Sequence, residues 1–237
     1  MTFKTLSSLT ALTLGTALVA GAAAAQDATK DAQDMTRDQD ATWIDITSWN
    51  DDAVYDGWSA QSLLGEDAYN ATGDELGEVE DLIVGPDGMI RRVVIEGGGF
   101  LDIGDTHAAI PWDEVQRNAA SSVSVPLQGE DLDDYTRYPN VDDMRTEAEN
   151  FRVREVIGDF VTAEGTGYGS IDDVVFDDSG QMTALVVRPN PSYGYRGRWV
   201  AMPYSAGTYD PRAAYTEVPY SSVQLDELRP FNYGNFR

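Results

Sequence analysis

From Trp58 onward the chain repeats itself. Leu64-Gly65-Glu66-Asp67 is answered by Ile157-Gly158-Asp159-Phe160, and Leu76–Val84 (LGEVEDLIV) by Tyr168–Phe176 (YGSIDDVVF). The spacing settles at 92 residues, so that Gly88 matches Gly180, Val93-Val94 matches Leu185-Val186 and Pro111-Trp112 matches Pro203-Tyr204. After a one-residue slip, Val125-Pro126 falls on Val218-Pro219, Leu132-Asp133-Asp134 on Leu225-Asp226-Glu227 and Tyr138 on Phe231. A spacing held through so many matches predicts two copies of one small domain, at residues 58–138 and 151–237. The polar, acidic stretch 139–150 between them reads as a linker.

Each copy reads as β-structure. Val79–Val84 and Ile171–Phe176 are short runs rich in β-branched residues, and each is followed by a turn signal, Gly85-Pro86-Asp87-Gly88 or Asp177-Asp178-Ser179-Gly180. Such four-residue turns close hairpins, with return strands expected over Arg91–Ile95 and Thr183–Val187. Further strands are expected at Ala108–Ile110, Ser122–Val125, Trp199–Met202 and Thr216–Val218, and short helical turns at Asp131–Tyr135 and Gln224–Leu228. Many short strands punctuated by Gly, Pro and Asp predict an all-β chain of two tandem small antiparallel β-barrels.

What precedes the repeats reads as an export signal and a tether. One Lys and no acid in Met1–Leu6, an apolar run to Ala20 and Ala23-Ala24-Ala25 before Gln26 predict a signal peptide over residues 1–25, cut after Ala25. The apolar run is shorter than a membrane span needs, and no later segment is long and apolar enough to cross a bilayer. The expected destination is the periplasm or the medium. Residues 26–57 begin as a polar, acidic tether and continue through Trp43, Ile44, Ile46, Trp49, Val54 and Tyr55 as an arm expected to lie on the first domain.

Composition narrows the function classes. The formal net charge is −25, and the leader carries Lys4 but no acid, so its loss makes the chain more acidic still. Such a surface repels nucleic acid and anionic lipid, attracts cations or basic partners, and also suits solubility in salty surroundings. Without cysteine there is no disulfide, lipid anchor on Cys, thiol nucleophile or thiolate metal site. One histidine, His107, leaves a Ser–His–Asp device dependent on it with Asp102 or Asp105, but no Ser stands in a nucleophile setting; it reads as an ordinary loop histidine.

Within Leu63–Val115 the Gly-x-Val-x-Asp strand, the Gly-closed hairpin, Gly98-Gly99-Phe100-Leu101, Ile103-Gly104 and Pro111-Trp112 resemble the PRC-barrel domain. The second repeat resembles a divergent copy. It keeps Gly158, Gly169, Asp173, Gly180 and Pro203 but replaces the Gly-Gly-Phe loop with Pro189–Arg198. The resemblance implies a mostly antiparallel β-barrel used for docking, without catalysis or cofactor.

The remaining candidates are weighed on their own residues. Gly97-Gly98-Gly99 lacks the Lys and Ser/Thr of a phosphate loop and reads as a sharp turn. The acidic pairs Asp51-Asp52, Asp133-Asp134, Asp142-Asp143, Asp172-Asp173 and Asp177-Asp178 leave room for weak divalent-cation binding, and calcium buffering is the alternative function. A carboxylate-based envelope hydrolase is the weaker one. Tyr193, Tyr195, Arg196, Arg198 and Trp199 gather aromatics and arginines in an acidic chain. Tyr, Trp and Arg dominate binding hot spots, so this loop is the candidate contact with another envelope protein.

Overall fold

The computed structural model describes residues 44–97, 106–118, 122–126, 137–138, 150–191, 198–205, 209, 213 and 215–236. The signal peptide, most of the tether, the expected turn at Asp131–Tyr135 and nearly all of the linker lie outside them. Residues Ala41–Arg237 form one compact unit.

In chain order the strands are β1 (Trp58–Ser59), β2 (Asp67–Tyr69), β3 (Glu75–Val84), β4 (Ile90–Gly97), β5 (Thr106–Pro111), β6 (Gln116–Arg117), β7 (Val123–Ser124) and β8 (Arg137–Tyr138). Then come β9 (Phe151–Arg152), helix α1 (Val153–Val156), β10 (Phe160–Ala163), β11 (Thr166–Phe176), β12 (Met182–Pro189), β13 (Trp199–Pro203), β14 (Tyr215–Val218), helix α2 (Ser222–Asp226) and β15 (Pro230–Phe231). They build two sheets, and the chain is mostly β with the PRC-barrel-like arrangement expected of it. One sheet has the order β6-β7-β2-β3-β4-β5-β8 and the other β14-β10-β11-β12-β13-β15. Neighbours are antiparallel except β2–β7 and β10–β14, which are parallel.

The first strand of each half sits in the other half's sheet. β1 pairs with β11, Trp58 facing Phe176 and Ser59 facing Val175. β9 pairs with β3, Phe151 facing Val84 and Arg152 facing Ile83. The arm before β1 follows it. The expectation that it lies on the first domain is corrected here: Val54 is buried against Val175, Ala184, Val186 and Ala201 of the second sheet, with Phe231 alongside. The reason is that β1 fixes the arm's exit beside β11.

A buried aspartate secures each crossing. Asp81 on β3 and Asp173 on β11 are both fully buried. Asp81 Oδ1 accepts the backbone N–H groups of Leu82 (2.8 Å) and Arg154 (3.1 Å), and its Oδ2 accepts Arg152 Nε (2.8 Å). Asp173 Oδ1 accepts the N–H groups of Val174 (2.7 Å) and Gln61 (3.1 Å), and its Oδ2 accepts the Ser59 hydroxyl. Each carboxylate therefore satisfies backbone donors that the incoming strand would otherwise bury unpaired. The two arrangements differ in their side-chain donors: the Arg152 guanidinium at Asp81, the hydroxyls of Ser59 and Tyr233 at Asp173.

The hairpin tips meet at the same seam. Ile90 N–H donates to Gly180 O at 3.0 Å, and Met182 N–H to Gly88 O at 2.9 Å. Both glycines have left-handed backbone, with φ of +80° at Gly88 and +86° at Gly180, as these turns require. Each is capped by the aromatic residue that follows a strand-ending proline of the other half. A Cβ on Gly180 would lie 2.4 Å from Trp112 Nε1, and one on Gly88 2.7 Å from Tyr204 Cε1. Gly180→Ala combines backbone strain with this clash and is expected to cost about 2–3 kcal/mol. Urea titration should show a lower midpoint at unchanged slope; a midpoint within error of the parent would refute this account of the cap.

Candidate interaction surface

β10 and β14 alternate strictly. Val161, Ala163, Thr216 and Val218 are buried, while Phe160 and Tyr215 point outward. The parallel register places Phe160 opposite Tyr215. The two rings stand on neighbouring strands of one face, 65% and 53% exposed. Among the described strands β14 pairs only with β10, so the aromatic pair lies at a sheet edge. Edges and exposed aromatic surface are both costly to leave uncovered, and proteins keep them where something docks.

The corresponding positions in the first sheet are polar. Ala68 pairs with Gly77 and Val123 as Val161 pairs with Gly169 and Thr216, so Asp67 and Ser122 occupy the places of Phe160 and Tyr215. Two register-matched positions are thus polar and half-buried in the first half, aromatic and exposed in the second. The signal was present in the sequence but needed the register to be read, because a phenylalanine in a short strand is ordinarily assigned to the core.

A groove of about 580 Å³ opens beside Phe160, lined also by Gly167, Gly169, Arg188, Pro189 and Pro191. Gly169 is fixed by packing, since a Cβ there would lie 2.4 Å from Arg188 O, whereas one on Gly167 would meet nothing within 4 Å. The Arg188 guanidinium lies 3.8 Å from Asp172 Oδ1. The groove floor is therefore largely backbone and apolar carbon, with one cation at its rim.

The loop singled out in the sequence begins at this groove. Tyr193, Tyr195 and Arg196 lie outside the described residues. Arg198 and Trp199 are half-buried: Arg198 Nη2 donates to the Leu228 carbonyl, and Trp199 pairs with Phe231 and meets the Tyr233 ring edge-on at 6.0 Å. These two brace β13 against β15. Among the described residues, Phe160 and Tyr215, which composition did not reveal, form an exposed aromatic pair.

The other candidates are held within the fold. His107 is a buried strand residue of β5, not a loop residue, and Asp102 and Asp105 lie outside the described residues. Asp51 and Asp52 clamp Arg229, Asp177 Oδ1 accepts the N–H groups of Ser179 and Gln181, and Asp178 pairs with Arg117 at 3.1 Å. Among the described residues no group of three or more His, Asp or Glu side chains is placed to hold a metal ion. No described helix is long and apolar enough to cross a membrane.

No curated protein matches the chain. A family model does: residues 57–126, from the glycine before β1 to the proline just beyond β7, match the PRC-barrel domain.

Proposed function

We propose that the chain is a non-catalytic docking module of the bacterial envelope, in which a divergent second PRC-barrel copy presents Phe160 and Tyr215 to a protein partner. PRC-barrel domains serve in general as non-catalytic interaction modules, which supports the first part of the reading. The observation that carries the second is that Phe160 and Tyr215 face each other in register and are exposed, where the matching first-half positions, Asp67 and Ser122, are polar and half-buried. The seat is apolar in the middle and set in an acidic surface, which favours a partner segment with aromatic or aliphatic anchors and a basic flank. Export after cleavage at Ala25 belongs to the same proposal, and N-terminal sequencing of the protein recovered from the periplasm tests it.

The docking test compares the mature chain with a Phe160→Ser/Tyr215→Ser variant as baits in envelope extract across a salt gradient. Both residues are exposed, so the variant should keep its circular dichroism and its melting temperature within about 2 °C. The expected result is a partner held by the parent and lost from the variant. A partner held equally by both would remove this face from the proposal.

A further inference from the structure

Among the described strands the outer edge of β14 is uncovered, whereas that of its first-half counterpart is not. In the first half β7 lies between β2 and β6, with Gln116 opposite Ser124 and Arg117 opposite Val123. Val125 N–H turns toward β2 and donates to Tyr69 O at 2.9 Å, while Ser122 O turns toward β6 and accepts Asn118 N–H at 2.8 Å. Backbone groups alternate sides along a strand, so Ser122 and Ser124 face β6, and Val123 and Val125 face β2.

β14 and β10 repeat β7 and β2 at the same register, with Thr216 standing where Val123 stands. Thr216 and Val218 therefore turn their backbone toward β10, and Tyr215 and Glu217 turn theirs outward. At the 92-residue spacing Arg117 of β6 falls on Tyr209, which belongs to no strand. Tyr209 is buried instead, its ring 4.7 Å from Phe151 and its hydroxyl donating to Asp159 Oδ2 at 3.0 Å. Tyr215 and Glu217 thus present main-chain donors and acceptors on the same edge as their exposed side chains.

Such an edge is a template for one more strand. Antiparallel addition, as β6 adds to β7, sets alternate residues of the newcomer opposite Glu217 and Tyr215. Cross-strand pairs favour opposite charge and apolar neighbours. A basic residue therefore suits Glu217, and an aliphatic or aromatic one two positions on suits Tyr215 and extends its row with Phe160. β6 is an internal precedent for a basic strand in this place. Its Arg117 pairs with Asp178 at 3.1 Å and lies over the Trp58 ring, 5.1 Å from the centroid. The formal charge of −25 favours such a basic segment over a second copy of this acidic chain.

We propose that β14 takes on an antiparallel strand from the partner protein, with a basic residue facing Glu217 and an apolar one facing Tyr215. This rests on the docking reading and adds to it that the partner is held through its main chain.

The test is calorimetric titration of the full mature chain with the peptide acetyl-Thr-Lys-Val-Ile-Thr-Lys-amide. Its first lysine and its isoleucine would stand opposite Glu217 and Tyr215 with their N–H groups on β14, while the valine N–H between them points away. Methylating the isoleucine nitrogen should weaken binding at least about tenfold, and methylating the valine nitrogen should change it less than about twofold. Glu217→Pro, which removes an outward donor, should weaken binding at least about threefold more than Glu217→Ala, which keeps it. Equal effects of the two methylations, no binding of the unmethylated peptide, or a dimer of the mature chain that Glu217→Pro dissolves would each overturn the proposal, the last by giving the edge to a second copy. Partner capture by the parent and its loss from the Phe160→Ser/Tyr215→Ser bait are read separately. Methylation-insensitive binding with that capture pattern intact therefore removes the added strand and leaves the docking face standing.

Discussion

Asp81→Asn is expected to cost about 3 kcal/mol at pH 7, whereas Asp173→Asn should leave stability unchanged or raise it. The difference lies in what the new amide would face. At position 173 the Asn oxygen can accept the N–H groups of Gln61 and Val174, and its NH₂ can donate to the Ser59 oxygen, which serves equally as acceptor. At position 81 the oxygen can accept from Leu82 and Arg154, but the NH₂ then points its hydrogens at Arg152 Nε–H. Donor meets donor beside a mostly buried guanidinium that has lost its carboxylate. Breaking one side of a buried pair is among the most destabilising single changes.

The pH dependence separates the two sites further. Burial pushes the Asp173 carboxyl from 3.8 up to about 6, against the opposing pull of Ser59, the backbone donors and the Tyr233 hydroxyl. Burial also raises Asp81, with Arg152 restraining the shift. For Asp173 the folded state binds its proton more tightly than the unfolded state. Stability from this group is therefore greatest below about pH 4 and is lost as pH rises through about 6, by up to about 3 kcal/mol. Asp173→Asn should remove that slope. Denaturation of parent and variant at pH 4.0 and 7.0 measures it, and parallel pH profiles would contradict a carboxylate whose burial raises its pKa.

The second large effect is expected at Trp58. Its ring is 3% exposed and stacks on Trp112 at 5.7 Å and on Phe176 at 5.1 Å, one from each half. Its indole N–H donates to Asp177 O at 3.0 Å. Trp58→Ala should cost about 4 kcal/mol, combining the lost burial with a cavity that backbone pairing around it keeps from collapsing. It also leaves the Asp177 carbonyl without this donor and Arg117 without the ring beneath it. Chemical denaturation should show one cooperative transition moved to lower denaturant. A loss below about 1 kcal/mol would mean that the seam does not depend on this side chain.

The long strands were legible because their signals are local. β3, β4, β11 and β12 follow from β-branched runs closed by Gly-containing turns, and the helical turn expected at Gln224–Leu228 overlaps α2. The strand exchange was not legible, because β1 and β9 have two residues each and carry no periodicity. Which sheet they join is decided by Trp58 reaching Phe176 and Phe151 reaching Tyr209, contacts fixed only in three dimensions. Asp81 and Asp173 were marked only as repeat-matched positions: among 41 acidic residues nothing in the sequence shows that these two point inward. Of the Tyr–Arg cluster, Tyr193, Tyr195 and Arg196 lie outside the described residues, and Arg198 and Trp199 make internal contacts. The exposed aromatics emerge only when β10 and β14 are set in register against β2 and β7.

The central claim is that the two halves are held together by exchanged strands rather than by the linker. A specific protease site placed within residues 139–149 of the full mature chain, followed by cleavage and gel filtration under native conditions, tests it most directly. The account predicts that the cut chain elutes at the position of the intact one, with both fragments in the same peak, and that they part only in denaturant. Fragments that separate in native buffer would contradict it.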